Sequence, residues 1–331
     1  MLRTSIAAYL PVHRKLPFPG VKYLEFQRLL EEKRKIVNAR IDEILSSGFE
    51  ENEASELVRY TFTTGGKRLR PIMVLLAAEA AGGEDKSALN AAVAVEFVHA
   101  ASLIFDDLID KDRLRRNMPT MNVAFNDDKA ISSGLFLASK GVEVLSDYKD
   151  PKIMKMIGWA LVELSKGEIL DVISDIAIDV EHYLNIADLK TGSLFAACAG
   201  IGGLVGGGSR EEINALYNYG RAVGVAFQIR DDILDITSGS NSSKAERANL
   251  VLAHYLGAST RQDRVSEILN HEEYKERDDE LEALRRKAVD FAIRTSREHV
   301  ERAKSEVQVL RDGEGREALI ALADFALERE I

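Results

Sequence analysis

Residues 89–110 read LNAAVAVEFVHAASLIFDDLID. The stretch is apolar on nearly every side, which marks a buried helix. It nevertheless ends in three aspartates, Asp106, Asp107 and Asp110. They fall at the C-terminal end, where the helix dipole is already negative. Asp106 and Asp110 lie four apart and share a face, with Asp107 beside them. Residues 214–235, NALYNYGRAVGVAFQIRDDILD, repeat the arrangement with Asp231, Asp232 and Asp235. One such cluster by itself is read first as a surface ion-pair network with neighbouring arginines. Two copies on apolar helices favour a site. Each cluster is destabilising alone, and two facing each other are worse, so a cation has to offset them. Carboxylates with no accompanying His or Cys suit a hard ion such as Mg2+, which rarely takes all its ligands from protein and bridges to a substrate phosphate.

The rest of the chain is helical in the same way. All six prolines lie at or before Pro151, and the following 180 residues have none. No spaced series of alternating strands with hairpin turns is found. Helical periodicity runs over 22–46, 52–64, 71–81, 87–111, 128–146, 151–177, 182–204, 210–236, 244–256, 261–269, 278–311 and 314–329. The expectation is one all-α domain over 21–331, a bundle of about ten or more long helices around a central cavity. Residues 1–20, broken by Pro11, Pro17 and Pro19, read as an extended arm without a secretory core.

Composition narrows the function. The net charge of −10 and a pI near 5.3 argue against nucleic-acid binding. The single cysteine, Cys198, suits a reducing, cytoplasmic setting. No integral membrane segment is expected; LFAACAGIGGLVGGG, residues 194–208, is the best candidate and reads as a packed core helix and its end. Two basic groups break the acidic balance: Lys67, Arg68 and Arg70, and then Lys111, Arg113, Arg115 and Arg116 just past the first aspartates. In TTGGKRLRP, residues 63–71, two glycines precede Lys67 and Arg70 at a helix start, an arrangement that attracts anions. It is no P-loop, and in isolation it reads as a solvated basic turn.

Four segments together resemble the trans-isoprenyl (all-E) diphosphate synthase family: GGKRLRP, EFVHAASLIFDDLIDKDRLRRNMPT, YLNIADLKTGSLF and FQIRDDILD, in that order within about residues 60–256. The resemblance implies the isoprenoid synthase fold, isopentenyl diphosphate and an allylic prenyl diphosphate as substrates, and a homodimer. Asp106, Asp107, Asp110, Asp231, Asp232 and Asp235 match the aspartates that hold Mg2+, three ions per site, against the allylic diphosphate. Lys67, Arg70 and His99 match the isopentenyl diphosphate site, joined by Arg116. Arg115, Lys190 and Thr191 match contacts to the allylic diphosphate or the developing cation, with Gln228 on the same lining. Bulky aromatics four or five positions before the first aspartate stop growth in the family; here Ser102, Ala101 and, one turn further back, Val98 are modest. A product of twenty or more carbons is therefore expected.

The chain departs from the family pattern in three places. Phe105 precedes the first aspartate pair where His is usual, GEILD carries Glu168 where Gln is usual, and ITSGSNSSKAERANLVLAHYL after Asp235 is short, leaving Lys244 or Arg247 as the diphosphate cations there. Two other functions fit the broad pattern: a class I terpene cyclase, and a weakly active regulatory subunit of another synthase. GGKRLRP and the intact second aspartate motif count against the former, and two intact motifs against the latter.

Overall fold

The computed structural model describes residues 23–48, 53–63, 65–174, 179–237, 249–251, 253–254 and 279–328. The helices are α1 (Tyr23–Gly48), α2 (Glu53–Thr63), α3 (Leu69–Ala80), α4 (Asp85–Asp110), α5 (Met121–Ala124), α6 (Asp127–Ser146), α7 (Pro151–Ile173), α8 (Val180–Ala187), α9 (Ser193–Val205), α10 (Arg210–Thr237), α11 (Asp279–Glu306) and α12 (Glu314–Glu328). The expected arm at 1–20, the expected helix at 261–269, and Lys244 and Arg247 lie outside the described residues.

Helix α4 is central. It packs against α1, α3, α6 and α9, which accounts for its apolar character on every side. Its residues Ala91 to Val95, Phe97 and Val98 are buried. By length and composition α4 also qualifies as a membrane span, and its burial inside the bundle identifies it as a core helix. The glycine-rich helix α9, singled out in the sequence as the apolar candidate, is likewise core. A smaller second core forms around Val225, Ile229, Ile233 and Ile236 of α10, with Tyr183, Leu250, Val251 and Ala292. It seats the second aspartate cluster.

Three local features depart from the periodicity reading. The helix expected over 182–204 is continuous, but Asp188–Gly192 within it is π-helical, with an extra residue in the turn. The helix expected to reach 311 stops at Glu306 and passes into a 3-10 turn at Val307–Val309. A two-residue hairpin, β1 (Leu114–Arg115) on β2 (Met118–Pro119), follows α4. Its turn residues Arg116 and Asn117 both have positive φ, 53° and 64°, as a type I′ turn requires. Without glycine there, the turn left little trace in the sequence.

Candidate active site

The first half of the site is a cationic cavity at the start of α3. Gly65 (φ 72°), Gly66 (φ 142°) and Arg68 (φ 53°) turn the chain into the helix. A Cβ at Gly66 would stand 2.7 Å from Nη1 of Arg116 and 2.9 Å from Nη1 of Arg68, so glycine is what lets two guanidinium groups converge here. Arg116 donates to the carbonyl of Gly65, which fixes the hairpin turn over the loop. Arg68 is structural: it donates to Asn38 at 2.9 Å and to Glu96 at 2.9 Å in a buried ion pair. Arg70 donates from Nη1 to Nε2 of His99 at 2.9 Å and lies 4.4 Å over the Phe195 ring. Lys67 stands over Phe325 of α12 at 5.4 Å. Lys67, Arg70, His99 and Arg116 share a cavity of about 400 Å³, with Phe227 on its wall.

His99 is not one of the cations. Burial pushes its pKa well below the usual value, and Arg70, Arg115 and Arg116 push it further. Arg70 can only donate, so Nε2 accepts and the ring proton sits on Nδ1. The imidazole orients Arg70 rather than adding charge. Arg34 of α1 also lines the cavity. It lies more than thirty positions from the motif, and nothing in its own helical register marks it.

The second half is acidic and centres on Lys190. This residue sits in the π turn, 2.7 Å from Asp171 and 2.6 Å from Glu168 of α7. Gly167 makes the approach possible, since a Cβ there would lie 2.5 Å from the Lys190 backbone nitrogen. Burial lowers the pKa of Lys190, but Asp106, Asp171 and Glu168 outweigh it and keep the ammonium protonated. Burial raises the pKa of Asp106 to about 6, with Lys190 opposing and Glu168 adding to the rise. Asp107, one residue on, is turned to Arg115, whose Nε and Nη2 grip its Oδ1 at 2.8 and 2.5 Å. Arg115 thus pairs with the first aspartates and Arg116 with the glycine loop.

Thr191 continues the line to the second cluster. Its hydroxyl donates to Oε1 of Gln228 at 2.7 Å, and Nε2 of Gln228 donates to Asp232 at 3.1 Å. Burial raises the pKa of Asp232 to about 7, against the lowering influence of Tyr183, Gln228 and the Leu250 N–H. Asp110, Asp231 and Asp235 are half-buried at the same helix ends. The structure therefore brings Asp106, Lys190, Thr191, Gln228 and Asp232 into one connected line, and Lys67, Arg70, His99 and Arg116 into one cavity.

Upstream on α4, Val98 and Ala101 are buried, and Ser102 donates to the His99 carbonyl at 2.9 Å. Val98 faces α6 at Gly141, and Phe105 faces it at Gly134.

An all-helical core with acidic groups at the C-terminal end of α4 and a cationic cavity two turns earlier along it defines a helical protein built to hold polyanions. The polyprenyl synthetase family model matches residues 51–285, and the chain belongs to that family. It is 34% identical over 326 residues to a short chain isoprenyl diphosphate synthase of Methanothermobacter thermautotrophicus, covering 93% of this chain and 99% of that protein. The crystal structure of a geranylgeranyl pyrophosphate synthetase from Pyrococcus horikoshii superposes with a TM-score of 0.83 at 31% identity, over 93% of this chain and 99% of that one. A polyprenyl synthase from Caulobacter crescentus, solved with calcium and isoprenyl diphosphate, gives 0.77 at 26% identity, over 92% and 98%.

Proposed function

We infer that the protein is a prenyltransferase that joins isopentenyl diphosphate to an allylic prenyl diphosphate and makes an all-trans product of twenty or more carbons. The observation that carries this reading is the division of α4. His99 lies in the cationic cavity, and Asp106, on the same face seven residues or about 10 Å further along the axis, lies among the acidic groups. Two diphosphates can then be held apart while their hydrocarbon ends meet between them.

The donor set fits Mg2+, because the groups at both helix ends are carboxylates and desolvation makes two of them, Asp106 and Asp232, poorly tolerated as bare charges. Asp106, Asp107 and Asp110 would hold it from one side, and Asp231, Asp232 and Asp235 from the other. When bound, Mg2+ neutralises diphosphate charge and improves the leaving group.

The chain's own residues do the rest. Lys67, Arg70 and Arg116 bind the isopentenyl diphosphate head, with Arg70 held by His99. Arg115, Lys190 and Thr191 orient the allylic diphosphate. Its C–O bond breaks, and the Thr191 hydroxyl and Gln228 amide flank the resulting allylic cation. The buried walls of α4 and α9 keep water from it. The double bond of isopentenyl diphosphate attacks, a new C–C bond forms, and the proton leaves to the released diphosphate. Val98, Ala101 and Ser102 put small or modest side chains on the turns of α4 just before Asp106, where a bulky one would block a growing tail. A homodimer fits the exposed apolar stripes on adjacent helices, Ile131, Leu135 and Val142 of α6 with Trp159, Val162 and Ile169 of α7.

The reading is tested by incubating the purified chain with Mg2+, labelled isopentenyl diphosphate and a panel of allylic primers of five, ten, fifteen and twenty carbons. Chain elongation of at least one primer is expected. Cyclic hydrocarbon from a primer alone would indicate a cyclase instead.

A further inference from the structure

Helix α10 carries Gln228, Asp231 and Asp232 near its C-terminus, but a tight charged contact lies two turns earlier. Arg221 donates from Nε to Oδ1 of Asp188 at 2.7 Å and from Nη2 to Oδ2 at 2.6 Å. This is a fork-on-carboxylate pair, which fixes direction as well as distance. Its remaining nitrogen, Nη1, lies 3.4 Å from Glu163 of α7. One guanidinium therefore ties three elements together. Asp188 opens the π turn, two residues before Lys190; Glu163 is five residues before Glu168; and Arg221 is seven before Gln228.

The π turn is where a tie of this kind matters. It holds one residue more than an α-turn, and such single π turns inside α-helices are rare and frequent at functional sites. Relaxation to regular helix would rotate one side of the segment against the other by about one residue's turn, ~100°. Lys190 could not then keep its contacts with Asp171 and Glu168 while Thr191 keeps its bond to Gln228. Those contacts are made on the inner side of the segment. The Arg221–Asp188 pair braces it from a second direction, with both side chains about 30% exposed.

We propose that Arg221 is a positioning residue for the transfer step. Through Asp188 it holds the π turn so that Lys190 faces Asp106 and Thr191 faces Gln228 and Asp232. Arg221 touches no substrate in this account. A pair this exposed contributes little to global stability, so its removal loosens the turn without unfolding the chain. The assignment of a role in transfer rests on the prenyltransferase reading; the bracing of the turn does not.

The test uses the full chain with Arg221→Met, Arg221→Lys, Asp188→Asn and the Arg221→Met/Asp188→Asn double variant. Two readouts are taken: steady-state kinetics with both substrates, and amide hydrogen exchange of peptides spanning 186–195. The expected result is a ten- to hundredfold fall in kcat for Arg221→Met and Asp188→Asn, with the KM for isopentenyl diphosphate within twofold of wild type. Arg221→Lys keeps one bond and falls between, and the double variant is no worse than the poorer single. Exchange at 188–193 should quicken at least tenfold while α3 and α4 are unchanged. Wild-type kcat with unchanged exchange in Arg221→Met would overturn the proposal. So would an equal loss of protection throughout the bundle, or equal rises in both KM values, which would mark a general structural role. If Arg221→Met does not fold, Arg221→Lys and Asp188→Asn decide by the same criteria. Should the wild type make no prenyl product while 188–193 still loosens in the variants, the functional reading fails and the bracing stands.

Discussion

The substitution Asp232→Asn should stabilise the metal-free protein, and only at neutral to alkaline pH. Asp232 is buried, and its carboxyl is raised from 3.8 to about 7. The charged form is therefore disfavoured in the folded chain by about 4 kcal/mol, taking about 1.4 kcal/mol for each pH unit. The amide carries no charge at any pH and escapes this term. It also disturbs the bonds to Gln228 and the Leu250 N–H, because one acceptor oxygen becomes a donor; a loss of about 1 kcal/mol offsets part of the gain. The net is about 3 kcal/mol, or on the order of 6 °C in Tm for a chain of this size. The sign with pH follows from a folded pKa above the unfolded one. Wild type keeps its full stability from this group below pH 3.8 and loses it as pH rises through about 7. The advantage of Asp232→Asn should thus be absent near pH 4 and complete by pH 8.5. Thermal unfolding in chelator, without substrate, from pH 4 to 8.5 measures it. A variant less stable than wild type at pH 8.5, or a difference that does not change with pH, would refute the argument that this carboxylate is held at an electrostatic cost.

Lys67→Ala, Arg70→Ala and Arg116→Ala should each raise the KM for isopentenyl diphosphate by roughly ten- to a hundredfold, since a charged hydrogen bond is worth ~1.5–3 kcal/mol. Arg115→Ala should instead weaken the allylic substrate; steady-state constants for both substrates separate the two groups, and equal effects of all four on both would contradict the division of α4. His99→Gln, which can still accept from Arg70, should keep activity within about tenfold while His99→Leu loses far more, and neither should remove an inflection near pH 6.5 from the rate profile, because His99 is neutral throughout. Ala101→Phe and Ser102→Phe should shorten the product, read by chromatography after dephosphorylation; unchanged length in both would place the floor on another helix.

The parts of the site that were legible in the sequence are those that lie close together along the chain. The aspartate triplets, the GGKRLRP turn and the seven-residue step from His99 to Asp106 are each contained within one helix or its cap; spacing alone marked the aspartates, while the roles of the turn and of His99 came from the family resemblance. What was not legible depends on distant partners. The π turn at Asp188–Gly192 leans on Arg221, thirty-three residues later, and a helical period cannot register one extra residue in a turn. Arg34 reaches the cavity only because α1 packs on α3 and α4. The neutrality of His99 reflects its burial first, and then the convergence of arginines from two separate segments. The hairpin after α4 was missed because Arg116 and Asn117 adopt positive φ without glycine, held there in part by the Gly65 carbonyl.

The most direct measurement of the central claim couples product to released diphosphate. With Mg2+, isopentenyl diphosphate and the best allylic primer, each new C–C bond should release one inorganic diphosphate. The products should form a ladder in five-carbon steps ending at twenty carbons or more. Asp106→Ala should abolish both signals while the chain remains folded. Diphosphate release without chain extension, or near-normal extension by Asp106→Ala, would contradict the account.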